Sequence, residues 1–415
     1  MKILHISTYP TGGATKAGYR LHKGLLKLGI HSSFLFLHGN TKRDKNEFGY
    51  MDEASPSTIQ RVGLRIKERI VFQKHSKHLA GRPKHFEMFS EAGSPYRIHN
   101  LEIAKQADII VLHWVNSFLD YQSFFRNIDK PVVWVLHDMN PFTGGCHYAG
   151  SCNKFTASCQ VCPQLSGTID PEYSAKIFAT KLKALKGFNK LSIVTLSRWM
   201  QENSQKSMLL GSRPHYHIPN SLDAEVFSPK SKQHCREMLG LPVDKKIILF
   251  VADNVHNHRK GYAILVDAIK GLTNREQVML VQIGNESTSE TWDDFAVKRL
   301  GVINDELLMS MVYAAADVFV IPSLEDNLPN TVMESLMTGT PVIGFALGGI
   351  KDMIEDGQNG YLVTEINAEA LSKAMERFLL GAEVFDKDII RQKAFEKYNQ
   401  DVQANRYVAL FKQLI

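Results

Sequence analysis

The stretch Pro322–Gly349, PSLEDNLPNTVMESLMTGTPVIGFALGG, has the pattern of a helix placed between two buried strands. A short run of branched apolar residues leads into it at residues 317–323, and another closes it at residues 341–347. Pro329 predicts the start of the helix, and Gly339 predicts its end. Because parallel neighbours need a crossover connection that is usually a helix, this order of elements favours a parallel sheet covered by helices.

The same alternation runs through the rest of the chain in two series. A chain of 415 residues exceeds the roughly 250 to 300 residues at which single hydrophobic cores stop growing, so two domains are expected. Three prolines within residues 214–229 interrupt any regular element and separate the series. Strand-like runs occur at residues 2–7, 32–38, 108–114, 131–138 and 191–197, and again at residues 245–253, 278–285, 317–323 and 341–347.

We therefore predict an α/β fold of two doubly wound, Rossmann-like parallel-sheet domains that face a cleft, where such sheets bind ligands. The first domain is predicted at residues 1–215, with a cysteine-rich insertion at residues 146–162, and the second at residues 216–395. Residues 396–415 have a helical period. Packing of this helix against the first domain is one option.

The composition is that of a globular protein, with 44% apolar and 22% charged residues. No apolar run approaches the ~18 residues of a membrane-spanning helix. The opening MKILHIS has a strand pattern without the regions of a signal peptide, so we expect a cytoplasmic protein. The net charge of +6 is mild for this length, and we expect no nucleic-acid partner.

Basic residues are concentrated in one segment of the first domain. Between Arg61 and Lys84 there are eight Lys or Arg and one acid, Glu68. The pattern of residues 59–84 fits an amphipathic helix on an anionic membrane as well as a solvated helix packed on its own domain. The apolar residues recur at roughly helical intervals and are Ile59, Val62, Leu64, Ile66, Ile70 and Val71.

Glycines follow the first strand in STYPTGGATKAGYRLHKGL, residues 7–25. Gly12 and Gly13 are adjacent, so the dinucleotide fingerprint G-x-G-x-x-G is absent. Gly13 and Gly18 have the spacing of a phosphate loop, but the Lys and Ser/Thr that such a loop requires are replaced by Tyr and Arg. Two interpretations remain for Gly12 and Gly13: a turn whose helix N-terminus meets an anion or a hydroxyl group, or a tight turn without a ligand.

Two acids flank the predicted helix start in the opening stretch. Asp326 lies in the loop, and Glu334 lies about one turn into the helix. The helix N-terminus between them would suit a phosphate. The residues alone leave two readings of the acids. In the first, Asp326 is an exposed loop acid and Glu334 interacts favourably with the positive end of the helix dipole. In the second, the two carboxylates are the general acid and the nucleophile of glycoside hydrolysis, which requires a separation of ~5 to 9.5 Å.

Residues 322–363, which begin with this stretch and end in IKDMIEDGQNGYLV, resemble the signature of family four of the retaining nucleotide-sugar glycosyltransferases, which have the GT-B fold. The family motif has two Glu separated by seven residues. Glu334 matches the second Glu, and Asp326 occupies the position of the first. The resemblance extends to the glycine segment above and to HIPNSLDAEVFSP (217–229), RKGYAILVDAI (259–269) and LGVINDELLMSMVYAAADVFVIPS (300–323).

The resemblance implies a donor site for a nucleotide sugar in the second domain. Glu334 would bind the ribose hydroxyls, and Asp326 would bind hydroxyls of the donor sugar. Gly12 and Gly13 would also contact the donor. The backbone that would close over the sugar and the diphosphate belongs to Asn327, Leu328, Asn330 and Thr331.

The departing diphosphate needs positive charge nearby. Lys260 matches the Lys of the family's Lys-Gly pair. The family's second cation, an Arg that follows a Gly, is missing from FVADN at residues 250–254, and Arg259 is its predicted substitute.

His137 lies at the end of the strand-like run at residues 131–138, where parallel sheets bind ligands. A His in this position is more often structural, but the resemblance implies that His137 faces the sugar and stabilises the transition state. His137 and Asp326 are the predicted catalytic residues, and His113 is a weaker analogue at the end of the preceding strand. The implied reaction is transfer with retained anomeric configuration through front-face attack, without a protein nucleophile.

Four of the five cysteines lie within one short segment, as Cys146, Cys152, Cys159 and Cys162. A reducing cytosol disfavours stable disulfides, whereas four thiolates with a terminal C-x-x-C suit tetrahedral zinc. We predict a structural zinc site. Redox or disulfide pairing and free thiols remain alternatives.

The predicted function is transfer of a hexose-type sugar from a nucleoside diphosphate sugar, with UDP as the carrier, to a saccharide or lipid-linked acceptor in polysaccharide biosynthesis. The first domain would hold the acceptor, and the enzyme would work at the inner face of the membrane. We expect no catalytic metal, because a metal-binding D-x-D occurs only as DKD at residues 386–388 in a polar helical stretch. The alternatives are a nucleotide-sugar epimerase of related fold and a non-catalytic nucleotide-sugar or glycan-binding protein.

Overall fold

The computed structural model describes residues 1–38, 45–252, 257–285 and 295–415. The chain folds into two compact units, residues 1–218 with residues 403–415, and residues 219–402. Within the described ranges, each unit contains one sheet whose neighbouring strands are all parallel. The predicted fold class of two doubly wound parallel-sheet domains is therefore confirmed.

The first unit has a seven-stranded sheet in the order β3-β2-β1-β4-β5-β6-β7. Its strands are β1 (Lys2–Ser7), β2 (His31–Phe36), β3 (Glu47–Gly49), β4 (Ile109–Leu112), β5 (Val132–Leu136), β6 (Leu191–Thr195) and β7 (His215–His217). Its helices include α1 (Gly13–Lys27), α2 (Tyr50–Ala54), α3 (Thr58–His78), α4 (Glu102–Gln106), α5 (Tyr121–Asn127), α6 (Tyr173–Leu185) and α7 (Arg198–Lys206).

The second unit has a six-stranded sheet in the order β10-β9-β8-β11-β12-β13. Its strands are β8 (Lys246–Val251), β9 (Val278–Ile283), β10 (Ala296–Arg299), β11 (Val318–Ile321), β12 (Val342–Phe345) and β13 (Gly360–Val363). Its helices include α8 (Lys232–Leu239), α9 (Tyr262–Lys270), α10 (Glu306–Ala315), α11 (Asn330–Met337), α12 (Ala368–Leu379) and α13 (Lys387–Tyr398). The last helix, α14 (Gln400–Leu414), begins in this unit and ends in the first.

The central strands consist of continuous apolar residues, which explains why they lie in the middle of each sheet. Every residue of β4, β5, β11 and β12 is buried, as expected for parallel strands that carry helices on both faces. In contrast, β3, β7 and β10 are short edge strands with partly buried residues. Such short strands leave little periodicity to detect, and the sequence did not predict them or β13.

The stretch quoted first forms the unit β11-loop-α11-β12. Pro329 is the N-cap of α11, and Gly339 follows the helix with φ +79°. One face of α11 is formed by Val332, Met333, Leu336 and Met337, which are all buried. The helix is also buried elsewhere, because Glu334 and Ser335 are at most 8% exposed. Only its first two residues are partly exposed, and because α11 follows β11, its start lies at the carboxyl edge of the sheet.

No helix within the described ranges is both long enough and apolar enough to cross a bilayer.

Candidate functional site

Two loops of the second unit meet beyond the carboxyl ends of β8 and β11. The turn before α9 holds Arg259 and Lys260 and ends at Gly261, whose φ of +67° favours glycine. A Cβ at Gly261 would overlap the carbonyl oxygen of Pro322, so only glycine lets the two loops approach this closely. The backbone N–H of Leu324 donates to the carbonyl oxygen of Arg259 at 2.8 Å and fixes the contact.

Asp326 lies at the centre of this contact. Its Oδ2 accepts a hydrogen bond from Lys260 Nζ at 2.8 Å and lies 3.2 Å from Arg259 Nη1. Arg259 Nη1 also donates to the carbonyl oxygen of Glu325 at 2.6 Å. Burial alone would raise the pKa of Asp326, but the charges of Lys260 and Arg259 hold it below its ordinary value. The carboxylate is therefore ionised at neutral pH, and the three side chains together carry one net positive charge.

This environment decides between the expectations for Asp326. The reading of Asp326 as an exposed loop acid is wrong, because the residue is only 7% exposed and is paired with two cations. A carboxylate held ionised in this way does not fit the general acid of a glycoside-hydrolysing pair, which requires a raised pKa. It can still accept hydrogen bonds from hydroxyl groups.

Two glycines after β12 support the backbone of Asp326. Gly348 has φ +55°, and a Cβ there would overlap the carbonyl oxygen of Asp326. The N–H of Gly349 donates to that same oxygen at 2.8 Å. The sequence contained these glycines within the family signature, but the contact itself was not predicted. Both glycines are therefore part of the support of this loop.

Glu334 lies on α11 and is 8% exposed. Its Oε2 accepts a hydrogen bond from the hydroxyl group of Tyr313 on α10 at 3.2 Å. Tyr313 was not predicted as a site residue, and its only sequence signal was its place within the segment that resembles the family. The hydrogen bond orients a buried carboxylate one turn inside the helix, where it can accept hydrogen bonds from a polyol.

The loop between Asp326 and α11 is closely packed. Asn327 and Leu328 are buried, whereas Asn330 and Thr331 are partly exposed at the start of the helix. Pro329 occupies the N-cap without a side-chain cap. Asn220 donates from its amide nitrogen to Asn330 Oδ1 at 3.3 Å.

The predicted loss of the family's second cation concerns residues 253 and 254, which lie outside the described residues. Whether Arg259 substitutes for that cation stays a prediction. What the structure shows is that Arg259 reaches Asp326 and the carbonyl oxygen of Glu325.

The glycines that follow β1 have different roles. Gly12, with φ +97°, is the N-cap of α1, and a Cβ there would meet nothing within 4 Å. Its backbone conformation is therefore the reason for a glycine. Gly18 is different, because a Cβ there would lie 2.8 Å from Cε1 of His113. Gly18, the second glycine of the phosphate-loop spacing, thus makes room for an imidazole ring. Gly13, the first glycine of that spacing, begins α1.

Histidines from three neighbouring strands form a connected group in the first unit. His113 Nδ1 lies 3.1 Å from His137 Nε2, and His113 Nε2 lies 3.0 Å from His5 Nδ1. His5 and His113 are at most 3% exposed, while His137 is partly exposed. Burial lowers the pKa of His137 to about 4, although Asp138 opposes this shift. His137 is therefore neutral at pH 7 and can donate or accept a hydrogen bond without carrying charge.

The side chain of Asp138 connects neighbouring segments of the first unit through hydrogen bonds. Its Oδ2 accepts hydrogen bonds from His147 Nδ1 at 2.7 Å and from Trp114 Nε1 at 3.0 Å. Its Oδ1 accepts from the backbone N–H of Asn140 at 2.9 Å. Burial alone would raise the pKa of Asp138, but His147 and the hydrogen bond from the N–H of Asn140 hold it below its ordinary value. The residue ties the start of the cysteine-rich insertion to the end of β5.

The four clustered cysteines are all free thiols in the structure. Cys146, Cys159 and Cys162 are buried, and Cys152 is partly exposed. The N–H of Gly144 donates to Cys159 Sγ at 3.2 Å. Over the described part of the chain, no group of three or more His, Cys, Asp or Glu side chains is arranged to hold a metal ion. The zinc site thus has no support from this arrangement and stays a prediction.

Zinc content tests that prediction directly. Protein purified without chelator should contain about one equivalent of zinc by elemental analysis, and stripping the metal should destabilise the insertion, because metal binding to thiolates is coupled to folding. Replacing Cys235, which lies apart from the cluster, with serine is the control and should leave the zinc content unchanged. Less than about half an equivalent of zinc in the wild-type protein would contradict the prediction.

The basic segment forms helix α3, which is capped by Ser57 and Gln60 in a capping box. One face of α3 packs on the first unit through Leu64 and through His75, whose Nε2 lies 2.8 Å from the carbonyl oxygen of Phe89. The membrane-binding reading requires apolar side chains that are not packed on the unit, and several apolar side chains of α3 are exposed. These are Ile59 (85%), Val62 (51%), Ile66 (55%), Ile70 (57%) and Phe72 (67%).

The structure brings some of the predicted site residues together. In the second unit, Arg259, Lys260 and Asp326 are in direct contact, and Glu334 follows on the helix that leaves the same loop. In the first unit, His137 and His113 are hydrogen-bonded, and Gly12 and Gly13 begin the helix that packs on His113.

Comparison with known proteins finds similarity to glycosyltransferases. Residues 245–380 match the family Glycosyl transferases group 1. A putative teichuronic acid biosynthesis glycosyltransferase of Bacillus subtilis is 26% identical over 50% of this chain and 51% of its own length. The chain spans about half the length, or less, of the curated relatives it matches.

Solved structures match over the full chain. Sucrose-phosphate synthase from Thermosynechococcus elongatus superimposes with a TM-score of 0.68 and 17% identity, covering 100% of this chain and 98% of the other. HepE of Anabaena in complex with UDP has a TM-score of 0.63 and 14% identity, covering 100% of both chains. At these identities the likeness establishes the fold alone.

The matched region includes the contact of Arg259, Lys260 and Asp326, the start of α11 and Glu334. Residues 245–380 therefore match the Glycosyl transferases group 1 family in the part of the chain that holds these residues, and the predicted resemblance to the GT-B glycosyltransferases of family four is confirmed.

Proposed function

We propose that the protein is a retaining glycosyltransferase that moves a hexose-type sugar from a nucleoside diphosphate sugar to a saccharide or lipid-linked acceptor in polysaccharide biosynthesis. The observation that carries this proposal is the buried Asp326, paired with Lys260 and Arg259 beside the start of α11. This arrangement lies inside the region that matches the glycosyltransferase family.

The charges of this group suit transfer from a diphosphate. When the bond to the sugar breaks, negative charge develops on the leaving diphosphate, and fixed cations and helix dipoles stabilise it. Lys260 and Arg259 supply two positive charges, of which Asp326 balances one. The remaining positive charge and the N-terminus of α11 would face the diphosphate, so we expect no catalytic metal.

The two acids divide the recognition of the donor in this proposal. Asp326 is held ionised and accepts hydrogen bonds from hydroxyls of the sugar, while Glu334 accepts them from the ribose. The backbone of residues 327–331 closes over the sugar and diphosphate. UDP is the proposed carrier, and the UDP complex of HepE, a chain of the same fold, supports this choice.

The acceptor is proposed to be part of a growing polysaccharide or its lipid carrier. The likeness to the teichuronic acid glycosyltransferase of Bacillus subtilis supports a saccharide acceptor. We place the acceptor side in residues 1–215, which include the cysteine-rich insertion and His137.

Product analysis tests the reaction class. The protein is incubated with each of a panel of UDP-sugars, with and without octyl glycosides as acceptors, and the anomeric protons are followed by NMR. A new glycoside of the same anomeric configuration as the donor, formed only with an acceptor, is the expected result. Conversion of the UDP-sugar to an isomer without acceptor would show an epimerase instead.

His137 is proposed to stabilise the transition state rather than to bind the donor. His137→Ala should lower turnover by about 10²-fold, the size expected when one transition-state hydrogen bond is removed. Donor affinity should change by less than about threefold. Steady-state rates and calorimetric titration of the donor separate the two effects, and equal losses in both would indicate a binding role only.

We further propose that α3 contacts the anionic inner face of the membrane. The helix has six Lys or Arg and one Glu over residues 58–78, and its exposed apolar residues lie among them. Burying one isoleucine in a bilayer interface gains roughly 1.5 to 3 kcal/mol, and each nearby basic residue adds about 1 kcal/mol on an anionic surface. Together these terms favour reversible binding.

Vesicle sedimentation measures this contact. The wild-type protein should sediment with vesicles of phosphatidylcholine and phosphatidylglycerol but not with phosphatidylcholine alone, and high salt should weaken the binding. The double substitution of Ile59 and Ile66 by Glu should reduce the bound fraction at least about tenfold. Val384→Glu, at a site in the second unit that is 94% exposed, is the matched control. Equal binding of all three proteins would contradict the proposal.

A further inference from the structure

Three imidazole rings cross the sheet of the first unit in a line. His5 lies within β1, His113 directly follows β4, and His137 directly follows β5. These three strands are neighbours in the sheet. The hydrogen bond between His5 and His113 is 3.0 Å long, and the one between His113 and His137 is 3.1 Å long. The line runs from the core to the partly exposed His137.

The three rings are neutral at pH 7. Burial lowers the pKa of His5 and His113 well below the ordinary value, and it lowers that of His137 to about 4. A neutral imidazole has one N–H donor and one acceptor nitrogen. Because His113 uses both nitrogens, it must donate on one side and accept on the other. The proton positions of all three rings are therefore linked, and only two patterns satisfy both hydrogen bonds.

His5 decides between the two patterns. Its Nε2 is buried and has no hydrogen-bond partner among the described residues. The ring is 0% exposed and lies against Phe34, with 5.4 Å between the ring centroids. A proton on Nε2 would leave a buried N–H without an acceptor, which is rarer in proteins than an unpaired acceptor. The proton of His5 therefore belongs on Nδ1, from which it is donated to His113.

We infer that His5 and His113 act as positioning residues that fix the proton of His137 on Nδ1, with His137 Nε2 accepting a hydrogen bond from His113 Nδ1. In this state the Nε2 lone pair is engaged, so His137 cannot take up a proton there and acts as a hydrogen-bond donor through Nδ1. The consequence for sugar transfer rests on the proposed function, whereas the proton positions do not.

Gly18 supports the same arrangement from α1. A Cβ at this position would lie 2.8 Å from Cε1 and 2.9 Å from Nε2 of His113. The helix therefore leaves just enough space for the imidazole, and the contact prevents the ring from moving toward α1. Rigid support of this kind is what a fixed proton pattern requires.

The first arm of the test reads the proton positions without any substrate. Long-range ¹H–¹⁵N NMR of ¹⁵N-histidine-labelled protein at pH 7 distinguishes Nδ1–H from Nε2–H rings, and loss of a signal in His137→Ala assigns His137. We expect His137 as the Nδ1–H form. Observation of His137 as Nε2–H, or as a charged ring, would overturn the inference.

The second arm uses a matched pair of variants at His5. His5→Asn keeps a donor near the position of Nδ1 and should preserve the Nδ1–H form of His137. His5→Phe removes the donor while keeping an aromatic ring beside Phe34, and it should give a mixture of forms at His137. In donor turnover, we expect kcat to fall about three- to tenfold in His5→Phe with an unchanged KM, and to be restored in His5→Asn.

The outcomes separate this inference from the proposed function. If the proton positions change as expected but neither wild type nor variants transfer sugar, the inference holds and the proposed function fails. If sugar transfer is observed but His137 has the same form in His5→Phe as in the wild type, the inference fails and the function stands. Should His5→Phe not fold, Gly18→Ala, which displaces the His113 ring, provides the same comparison.

Discussion

Replacing Lys260 with methionine is expected to lower turnover by roughly 10²- to 10³-fold, the loss seen when one preorganised group that stabilises developing charge is removed. Lys260 Nζ is 2.8 Å from Asp326 Oδ2 and is one of two cations paired with this carboxylate, so the group carries one net positive charge. Without it the three-residue group becomes neutral, and the leaving diphosphate loses one of its two proposed cations. Donor turnover measured by release of UDP gives the effect.

A second lysine serves as the control for Lys260. Lys393 forms an ion pair with Glu355 at 2.6 Å on the surface of the same unit, with 40% of its side chain exposed. Exposed pairs contribute little to stability, so Lys393→Met should leave both turnover and Tm nearly unchanged. If Lys260→Met matched this control in turnover while folding normally, the proposed role of Lys260 would be wrong.

Glu334→Ala is expected to weaken binding of the donor nucleotide by about 10- to 100-fold. The proposal gives this carboxylate the ribose hydroxyls, and hydrogen bonds to a charged group contribute about 1.5 to 3 kcal/mol. Titration calorimetry with UDP measures the change. Glu334→Gln, which keeps the shape and one acceptor oxygen, should fall between wild type and Glu334→Ala.

Tyr313→Phe separates binding from structural support at Glu334. This variant removes the 3.2 Å hydrogen bond from the Tyr313 hydroxyl group but keeps the carboxylate. Its affinity for UDP should fall less than about threefold. An equal loss in Tyr313→Phe and Glu334→Ala would mean that the carboxylate organises the helix and does not bind the nucleotide.

Local signals in the sequence predicted the fold where the signals were strong. The unit β11-loop-α11-β12 was predicted because Pro329 and Gly339 mark the ends of the helix by their own backbone preferences. The buried strands were visible as continuous apolar runs. The short strands β3 and β10 have no such run, because their place at the sheet edge leaves them partly exposed.

The sequence did not predict contacts between residues that are far apart in the chain. The residues Lys260 and Asp326 were both singled out, but nothing in the sequence showed that they pair, and Asp326 was therefore left open as an exposed acid. Gly18 was compared with a phosphate loop, whereas its reason is the ring of His113, which is 95 positions away in the chain. Such reasons depend on packing between elements.

The basic helix α3 is another element whose packing the sequence did not decide. The helical period of α3 was predicted, but two readings remained, a packed helix and a membrane-binding one. The structure shows that Leu64 and His75 pack on the unit while Ile59 is 85% exposed. The packed reading therefore holds for the face with Leu64 and His75, and membrane contact of the exposed face stays a proposal.

The most direct test of the central claim is binding of a panel of nucleotides and nucleotide sugars, observed on the ligand by NMR with chelator present, for wild type and Glu334→Ala in parallel. We predict that the wild-type protein selects one nucleotide sugar, with UDP as its nucleotide, and that Glu334→Ala loses this binding. Failure of the folded wild-type protein to bind any member of the panel would contradict the donor site and, with it, the proposed glycosyltransferase.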